Sequence, residues 1–278
     1  MSNRQDGANL STLSRASQYV QYGNLRWLLS SRLRRSGPRV LMSHPMPHRG
    51  GHSARRINKL LECLPGNGRY LEIGLASGIT FESVLASVRW GVDPSPRFDL
   101  KRLPRGVTVV ASTSDDFFVE LAPEHTFDLV FIDGLHTFRQ AYRDLINSCR
   151  ASPEGFLLID DVVPCDAASA LPDREDAIRE HRRRGLKRDP RVWHGDVFKV
   201  LLCLSRYHPE LAFRTVVGPD NLQAIVWRRD RDAVVSSVDP AAIDELQQAT
   251  YDVIFSDGIP EMFFPRTEDE AIAEVQRP

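Results

Sequence analysis

The sequence predicts an α/β protein built on an open, mostly parallel sheet with helices on both faces. Three observations carry that expectation. From Tyr70 to Ile159, short apolar runs suited to burial on both faces alternate with amphipathic segments, the rhythm of strand–helix–strand units. Acidic residues close several of those runs, at Asp93, Asp133 and Asp160-Asp161. The last two runs, Leu211 to Val217 and Leu222 to Arg228, are separated only by Gly218-Pro-Asp-Asn221. So short a link permits a hairpin and forbids a parallel crossover. The expected sheet therefore has seven strands, the last two forming an antiparallel hairpin.

Residues 1 to about 18 are polar and hold little that could anchor them. The segment LRWLLSSRLRR, Leu25 to Arg35, reads as a short helix with one apolar stripe and several arginines, suited to packing on the main domain or on a partner subunit of a homo-oligomer rather than to touching a membrane surface. SHPMPHRGGHS, residues 43–53, carries His44, His48 and His52 in a spacing that matches no zinc pattern, and reads as a lid-like loop. A helix follows, with Ile57, Leu60, Leu61 and Leu64 on its inner face, ending at Pro65-Gly66. Tyr70 to Ile73 is the first strand, Gly74 to Gly78 a glycine turn, Thr80 to Val88 a helix, and Arg89 to Val92 a strand. Val107 to Ala111 is the third strand and Ser114 to Leu121 the next helix.

The fourth strand is Phe127 to Ile132; after Asp133 and Gly134, the residues Phe138, Ala141, Tyr142, Leu145, Ile146 and Cys149 share one helical face. Pro153 and Gly155 break that helix, and Phe156 to Ile159 form the fifth strand. An insertion, 162–196, holds the charge run DREDAIREHRRRGLKRDPR, which reads as a solvated helix or loop. Trp193 to Leu204 leads into an apolar helix ahead of the hairpin, and Pro240 to Tyr251 is a helix in an otherwise acidic, featureless tail. The expected organisation is an N-terminal extension with the lid-like loop (1–51), a main domain (52–230, insertion 162–196) and a C-terminal extension (231–278).

Composition narrows the function classes. A hydrophobic content of 42% supplies a packed core, and a net charge of −1 gives no bulk attraction to nucleic acid or to acidic membranes. Cys63, Cys149, Cys165 and Cys203 form no CxxC pair and read as thiols of a reducing compartment. MSNRQDGANLS lacks the apolar core of a signal peptide, and no stretch reaches the length of a membrane span. A cytoplasmic protein is expected, with no membrane span and no nucleic-acid partner.

The chemistry gathers at two places. In a right-handed βαβ unit the carboxyl ends of both strands lie on one sheet edge, so Asp133, His136, Asp160 and Asp161 can converge there. Glu72-Ile-Gly74-Leu-Ala-Ser-Gly78 lies between a strand and a helix, where glycines let the chain turn tightly and a ligand approach the backbone. Asp93 closes the next strand, where a carboxylate can accept both hydroxyls of a ribose. The spacing is not GxGxxG and no Walker lysine follows, which disfavours a dinucleotide or a nucleoside triphosphate.

YLEIGLASG, GVDP, FDLVFIDGLH and LLIDD together resemble the class I S-adenosylmethionine-dependent methyltransferases, and the DGxH…DD pairing is similar to their metal-dependent, macrocin-type sugar O-methyltransferases. The resemblance spans roughly residues 52–228 and implies a Rossmann-like, seven-stranded sheet. It implies that Glu72, Gly74 and Gly78 line the methionine end of the cofactor, that Asp93 holds its ribose, and that Ser112 to Asp115, with Ser114 and Asp115 foremost, edge the adenine. Several of those last residues could as well cap a helix.

Methyl transfer to an alcohol needs an ionised oxygen, which a divalent cation and a nearby base can provide. Asp133, Asp160 and Asp161 are hard oxygen donors suited to Mg²⁺, and His136 is placed to be the base, with Asp133 beside it in the catalytic group. The resemblance implies the same roles. A lone Asp after a strand is more often a helix cap, but two adjacent acids cannot easily both be caps, and like charges massed together call for a cation. Catechol-type enzymes usually carry asparagine where Asp161 stands, which favours a sugar hydroxyl over a phenol as acceptor. A phenolic O-methyltransferase and a non-catalytic S-adenosylmethionine-binding protein are the alternatives. An RNA methyltransferase is disfavoured, because no NPPY-like turn follows strand four and no lysine stands at these strand ends. Trp193, His194 and Asp196 fall in no motif; His194 or Asp196 reaches the acceptor, or the segment is a turn ahead of a helix.

Overall fold

Arg69–Ile73 forms the central strand β1, with Tyr70, Leu71, Glu72 and Ile73 all buried, as a strand covered on both faces must be. The computed structural model describes residues 51–64, 68–185, 189, 191–219 and 221–276, all within the second of two compact units, residues 46–278. The expected helix over residues 25–35, His44, His48 and the Pro65-Gly66 stop lie outside the described residues.

Around β1 the strands are β2 (Val88–Val92), β3 (Val107–Val110), β4 (Leu129–Ile132), β5 (Phe156–Ile159), β6 (Leu211–Val216), β7 (Gln223–Arg228) and β8 (Pro265–Arg266). Their spatial order is β3-β2-β1-β4-β5-β7-β6-β8. The first five are mutually parallel, and β7 enters antiparallel to both β5 and β6. The mixed sheet and its late hairpin are as the sequence predicts. The count is eight among the described residues rather than seven, because the C-terminal segment returns to pair β8 beside β6.

The helices are α1 (Gly51–Glu62), α2 (Ile79–Ser83), α3 (Ser114–Glu120), α4 (Phe138–Ala151), α5 (Arg174–Arg184), α6 (Phe198–Tyr207), α7 (Pro240–Gln247), α8 (Tyr251–Ile254) and α9 (Glu268–Val275). Period-two alternation along the strands builds two cores. Leu71, Ile73, Val130 and Ile132 pack toward α4 and α6, while Tyr70, Leu129 and Phe131 pack toward α1, α2 and α9. The six apolar residues that share one face of α4 are all buried. The charge run of the insertion forms α5, whose arginines 182–184 are exposed and pair in part with Glu180.

Two helices end earlier than their sequence pattern suggests, each for a tertiary reason. The helix expected from Thr80 to Val88 stops at Ser83, because Arg89 donates to the carbonyls of Phe81, Glu82 and Val84 and Asn58 bonds Ser83 and Leu85. The helix expected from Pro240 to Tyr251 divides after Gln247, whose carbonyl accepts Lys199 Nζ at 2.8 Å. The apolar helix into which the Trp193 segment leads runs from Phe198, as expected.

The C-terminal helix is tied to α1 by charge. Glu268 accepts from Arg55 at 2.6 and 3.0 Å, from Arg56 Nε at 3.0 Å and from Lys59 at 2.9 Å. Burial alone would raise the Glu268 pKa, but Lys59, Arg56 and Arg55 outweigh it and hold the carboxyl below its ordinary value. Glu268→Gln should lower stability by about 2 kcal/mol, measured by urea unfolding at neutral pH. A carboxyl with a depressed folded-state pKa contributes stability above its unfolded pKa and loses it as pH falls through the folded value. The gap between wild type and variant should therefore close on acidification.

Candidate active site

The carboxyl ends of β1, β2, β4 and β5 share one edge, and the sequence-selected residues gather there in two neighbouring groups. The first is the glycine turn after β1. Gly74, Ala76 and Gly78 all have positive φ, at 90°, 47° and 74°. A Cβ on Gly74 would lie 2.0 Å from the Asp133 carbonyl oxygen, so only glycine lets the turn close against the end of β4. Asp93 Oδ2 accepts the N–H groups of Leu75 and Ala76, both at 2.9 Å, and Oδ1 accepts Ser95 N–H at 2.6 Å. Asp93 thus shapes the turn itself. Beneath it, Glu72 is buried and accepts the Tyr70 hydroxyl at 2.6 Å; burial pushes its pKa well above the ordinary carboxylate value.

Ser114 and Asp115 open α3, and their partners lie on α4. Gln140 donates to Ser114 Oγ and Asp115 Oδ1, each at 3.2 Å, and Arg143 pairs with Asp115 at 3.3 Å. Thr113 is the residue that caps α3, accepting Asp116 N–H at 3.1 Å. One residue of the Ser112–Asp115 stretch is therefore a cap.

The second group is the acid cluster. Asp133 follows β4, His136 lies in the turn before α4, and Asp160 and Asp161 follow β5. His136 bridges the two strand ends: Nδ1 is 2.8 Å from Asp161 Oδ2 and Nε2 is 3.5 Å from Asp133 Oδ1. Burial would lower the His136 pKa, but the two carboxylates reverse this and hold the imidazolium well above its usual range. Burial pushes the Asp133 pKa up, and pushes that of Asp160 well up, where the charges of Asp133 and Asp161 add to it. Asp161 takes a left-handed backbone, φ 58°, which is uncommon outside glycine, asparagine and aspartate. Asp133, His136 and Asp160 line a small cleft together with Ile159 and Val197.

Other residues complete the cluster without a sequence motif to announce them. Asn221, in the hairpin link read only as a turn, donates to Asp161 Oδ1 at 2.8 Å and Asp160 Oδ1 at 3.3 Å. Gln223 donates to Asp160 Oδ1 at 3.0 Å. His194 Nε2 stands 3.9 Å from Asp161 Oδ1 and 3.7 Å from Cys165 Sγ. Asp196 points the other way. Its Oδ1 caps α4 by accepting Phe138 N–H at 2.6 Å, and its Oδ2 accepts from Lys199 at 2.9 Å and Gln247 at 2.7 Å. Trp193 lies against the His136 ring, centroids 5.1 Å apart, and Gly195 abuts the His136 backbone. Of the two readings open for this segment, Asp196 takes the structural one and His194 faces the cluster.

The donor chemistry fits a hard divalent cation, since three carboxylates offer oxygen ligands and two of them are buried. Among the described residues, no set of three His, Cys, Asp or Glu side chains is already gathered around a metal position. In the arrangement seen, His136 occupies two of the three carboxylates.

A parallel sheet of this order, with a late antiparallel strand and a glycine turn beside an acidic edge, is the architecture expected of a class I S-adenosylmethionine-dependent methyltransferase, and the family match assigns the chain to that class. The chain belongs to the methyltransferase-domain family, whose model, described as "Methyltransferase domain", matches residues 21–162, just over half of the chain. A comparison with curated proteins finds no match. Solved structures similar to this chain include a putative O-methyltransferase from Klebsiella pneumoniae, 16% identical over 64% of this chain and 80% of that one, TM-score 0.40. Cofactor-bound Rv0187 from MTB is 19% identical over 81% of this chain and 100% of that one, TM-score 0.44. The MycE methyltransferase of the mycinamycin pathway, solved with Mg, SAH and mycinamycin VI, is 16% identical over 62% of this chain and 47% of that one, TM-score 0.36. At such scores the family match, and not these structures, carries the assignment. Among the described residues no helix is long and apolar enough to cross a membrane.

The contact between Gly195 and the His136 backbone gives a direct test. A Cβ at Gly195, φ 65°, would fall 1.6 Å from the His136 carbonyl oxygen. Gly195→Ala should therefore destabilise the fold by more than about 2 kcal/mol, read from the denaturant midpoint.

Proposed function

We propose that the protein is an Mg²⁺-dependent O-methyltransferase that uses S-adenosylmethionine to methylate a hydroxyl of a small molecule, a sugar of a natural product or polysaccharide. The observation that carries this reading is the juxtaposition of a base candidate, three carboxylates and the glycine turn, with Gly74 packed against the Asp133 backbone. Glu72, Gly74 and Gly78 would face the methionine end of the cofactor, Asp93 its ribose, and Ser114 with Asp115 its adenine edge. Asp133, Asp160 and Asp161 would hold the cation.

S-adenosylmethionine supplies an electrophilic methyl group: the acceptor oxygen forms the new C–O bond, the C–S bond breaks, and its electron pair stays on sulfur as S-adenosylhomocysteine. A hard divalent cation, when bound, would lower the pKa of the acceptor hydroxyl and offset the carboxylate charge that keeps His136 protonated. His136 would take the hydroxyl proton on Nε2, which lies 3.5 Å from Asp133 Oδ1, while Asp161 Oδ2, 2.8 Å from Nδ1, holds the ring by charge. Trp193 restricts the imidazole from the side, and Asp196 caps α4 just after the turn that carries it.

Two measurements test the reading. His136→Asn should lower kcat about 10²- to 10⁴-fold in a methyl-transfer assay on hydroxylated acceptors, while S-adenosylhomocysteine binding by calorimetry stays near wild type. Asp160→Asn should abolish metal-dependent turnover; full wild-type activity in excess chelator would remove the cation from the mechanism.

A further inference from the structure

Gln223 is wholly buried at the start of β7, and each of its side-chain atoms is committed. Its Oε1 accepts from Arg56 Nη1, and its Nε2 donates to Asp160 Oδ1 at 3.0 Å and to Ser53 Oγ at 2.8 Å. A guanidinium offers only donors, so Arg56 must face the amide oxygen. That leaves the amide nitrogen no orientation except toward Asp160, and the side-chain flip is decided by chemistry. Arg56 is itself buried, and its Nε is anchored by Glu268 on α9 at 3.0 Å. A continuous chain of hydrogen bonds thus runs from the C-terminal helix through α1 and β7 to a carboxylate of the candidate site.

We propose that Gln223, oriented by Arg56 and Glu268, is a positioning residue that fixes the Asp160 carboxylate for cation binding. This inference rests on the metal-dependent reading above. Three donors converge on Oδ1 of Asp160, the Asp161 N–H at 2.9 Å and the amides of Asn221 and Gln223, which sets the rotation of the carboxylate and keeps Oδ2 out of those bonds. All three are neutral. An arginine placed directly on Asp160 would compete with a cation; with Arg56 held one side chain away, its influence arrives as orientation and leaves Oδ2 of Asp160 open to a cation. The consequence is that residues 268–275, beyond the span of the family match, serve the site.

The test uses the full chain with Mn²⁺ alone as probe, free Mn²⁺ being counted by electron paramagnetic resonance, and S-adenosylhomocysteine binding measured in parallel. Gln223→Met should weaken Mn²⁺ binding about tenfold, with S-adenosylhomocysteine affinity within about twofold of wild type. Glu268→Gln should shift Mn²⁺ affinity the same way by a smaller factor. Unchanged Mn²⁺ affinity in Gln223→Met overturns the inference, as does an equal loss of both ligands, which would mark a general structural role. If Gln223→Met does not fold, Glu268→Gln decides, and wild-type Mn²⁺ affinity there overturns the proposal. Absence of Mn²⁺ binding by the wild-type protein is a different failure: it removes the metal-dependent reading, and this inference with it.

Discussion

Like charges crowded into a low-dielectric edge repel one another, and the central part of this structure is arranged around that constraint. Two parallel strands deliver Asp133, Asp160 and Asp161 to one place, and burial denies Asp160 and Asp161 most of the screening that water would give. The protein answers with one cationic bridge, His136, and with neutral donors from the hairpin, Asn221 and Gln223. None of the arginines around the site touches the carboxylates directly in these bonds. The cluster is therefore held in shape by one cationic contact and by neutral donors rather than by arginine.

The supports for this arrangement come from distant parts of the chain. The turn that carries His136 is gripped by Trp193, Gly195 and Asp196, and Asp196 in turn joins α4 to Lys199 on α6 and Gln247 on α7. On the opposite face, Glu268 gathers Arg55, Arg56 and Lys59 from α1. Asp196 and Glu268 act through charge-assisted hydrogen bonds, and Trp193 and Gly195 through close packing against His136.

Much of this was legible in the residues. Apolar period marked β1, β4, β5 and the buried face of α4, because a strand covered on both sides and a helix covered on one must show those patterns. The link Gly218–Asn221 announced the hairpin by its length alone. The convergence of Asp133, His136, Asp160 and Asp161 followed from the handedness of one crossover. What stayed hidden depends on contacts between residues far apart in the chain. Nothing local to Ser83 or Gln247 says that Arg89 or Lys199 will take the helix-end carbonyls. Nor does the pattern of the tail say that two residues will pair with β6, or that Asn221, in a turn, will reach two site carboxylates. Arg56 looked like one more arginine among many, and its role is set by Glu268, more than two hundred positions away.

The two-residue strand β8 has a further consequence. It lies along β6, which would otherwise be the outermost strand, with Thr215 and Val216 as its partners. An uncovered β6, Leu211–Val216, would present unpaired backbone groups on a largely apolar strand, the kind of edge that recruits another copy of the same sheet. The Thr215 hydroxyl, donating to the Phe263 carbonyl at 2.7 Å, helps fasten that cover. Proteolytic clipping ahead of Phe263 would therefore uncover the end of β6 at Thr215 and Val216 and leave the sheet margin more prone to aggregation.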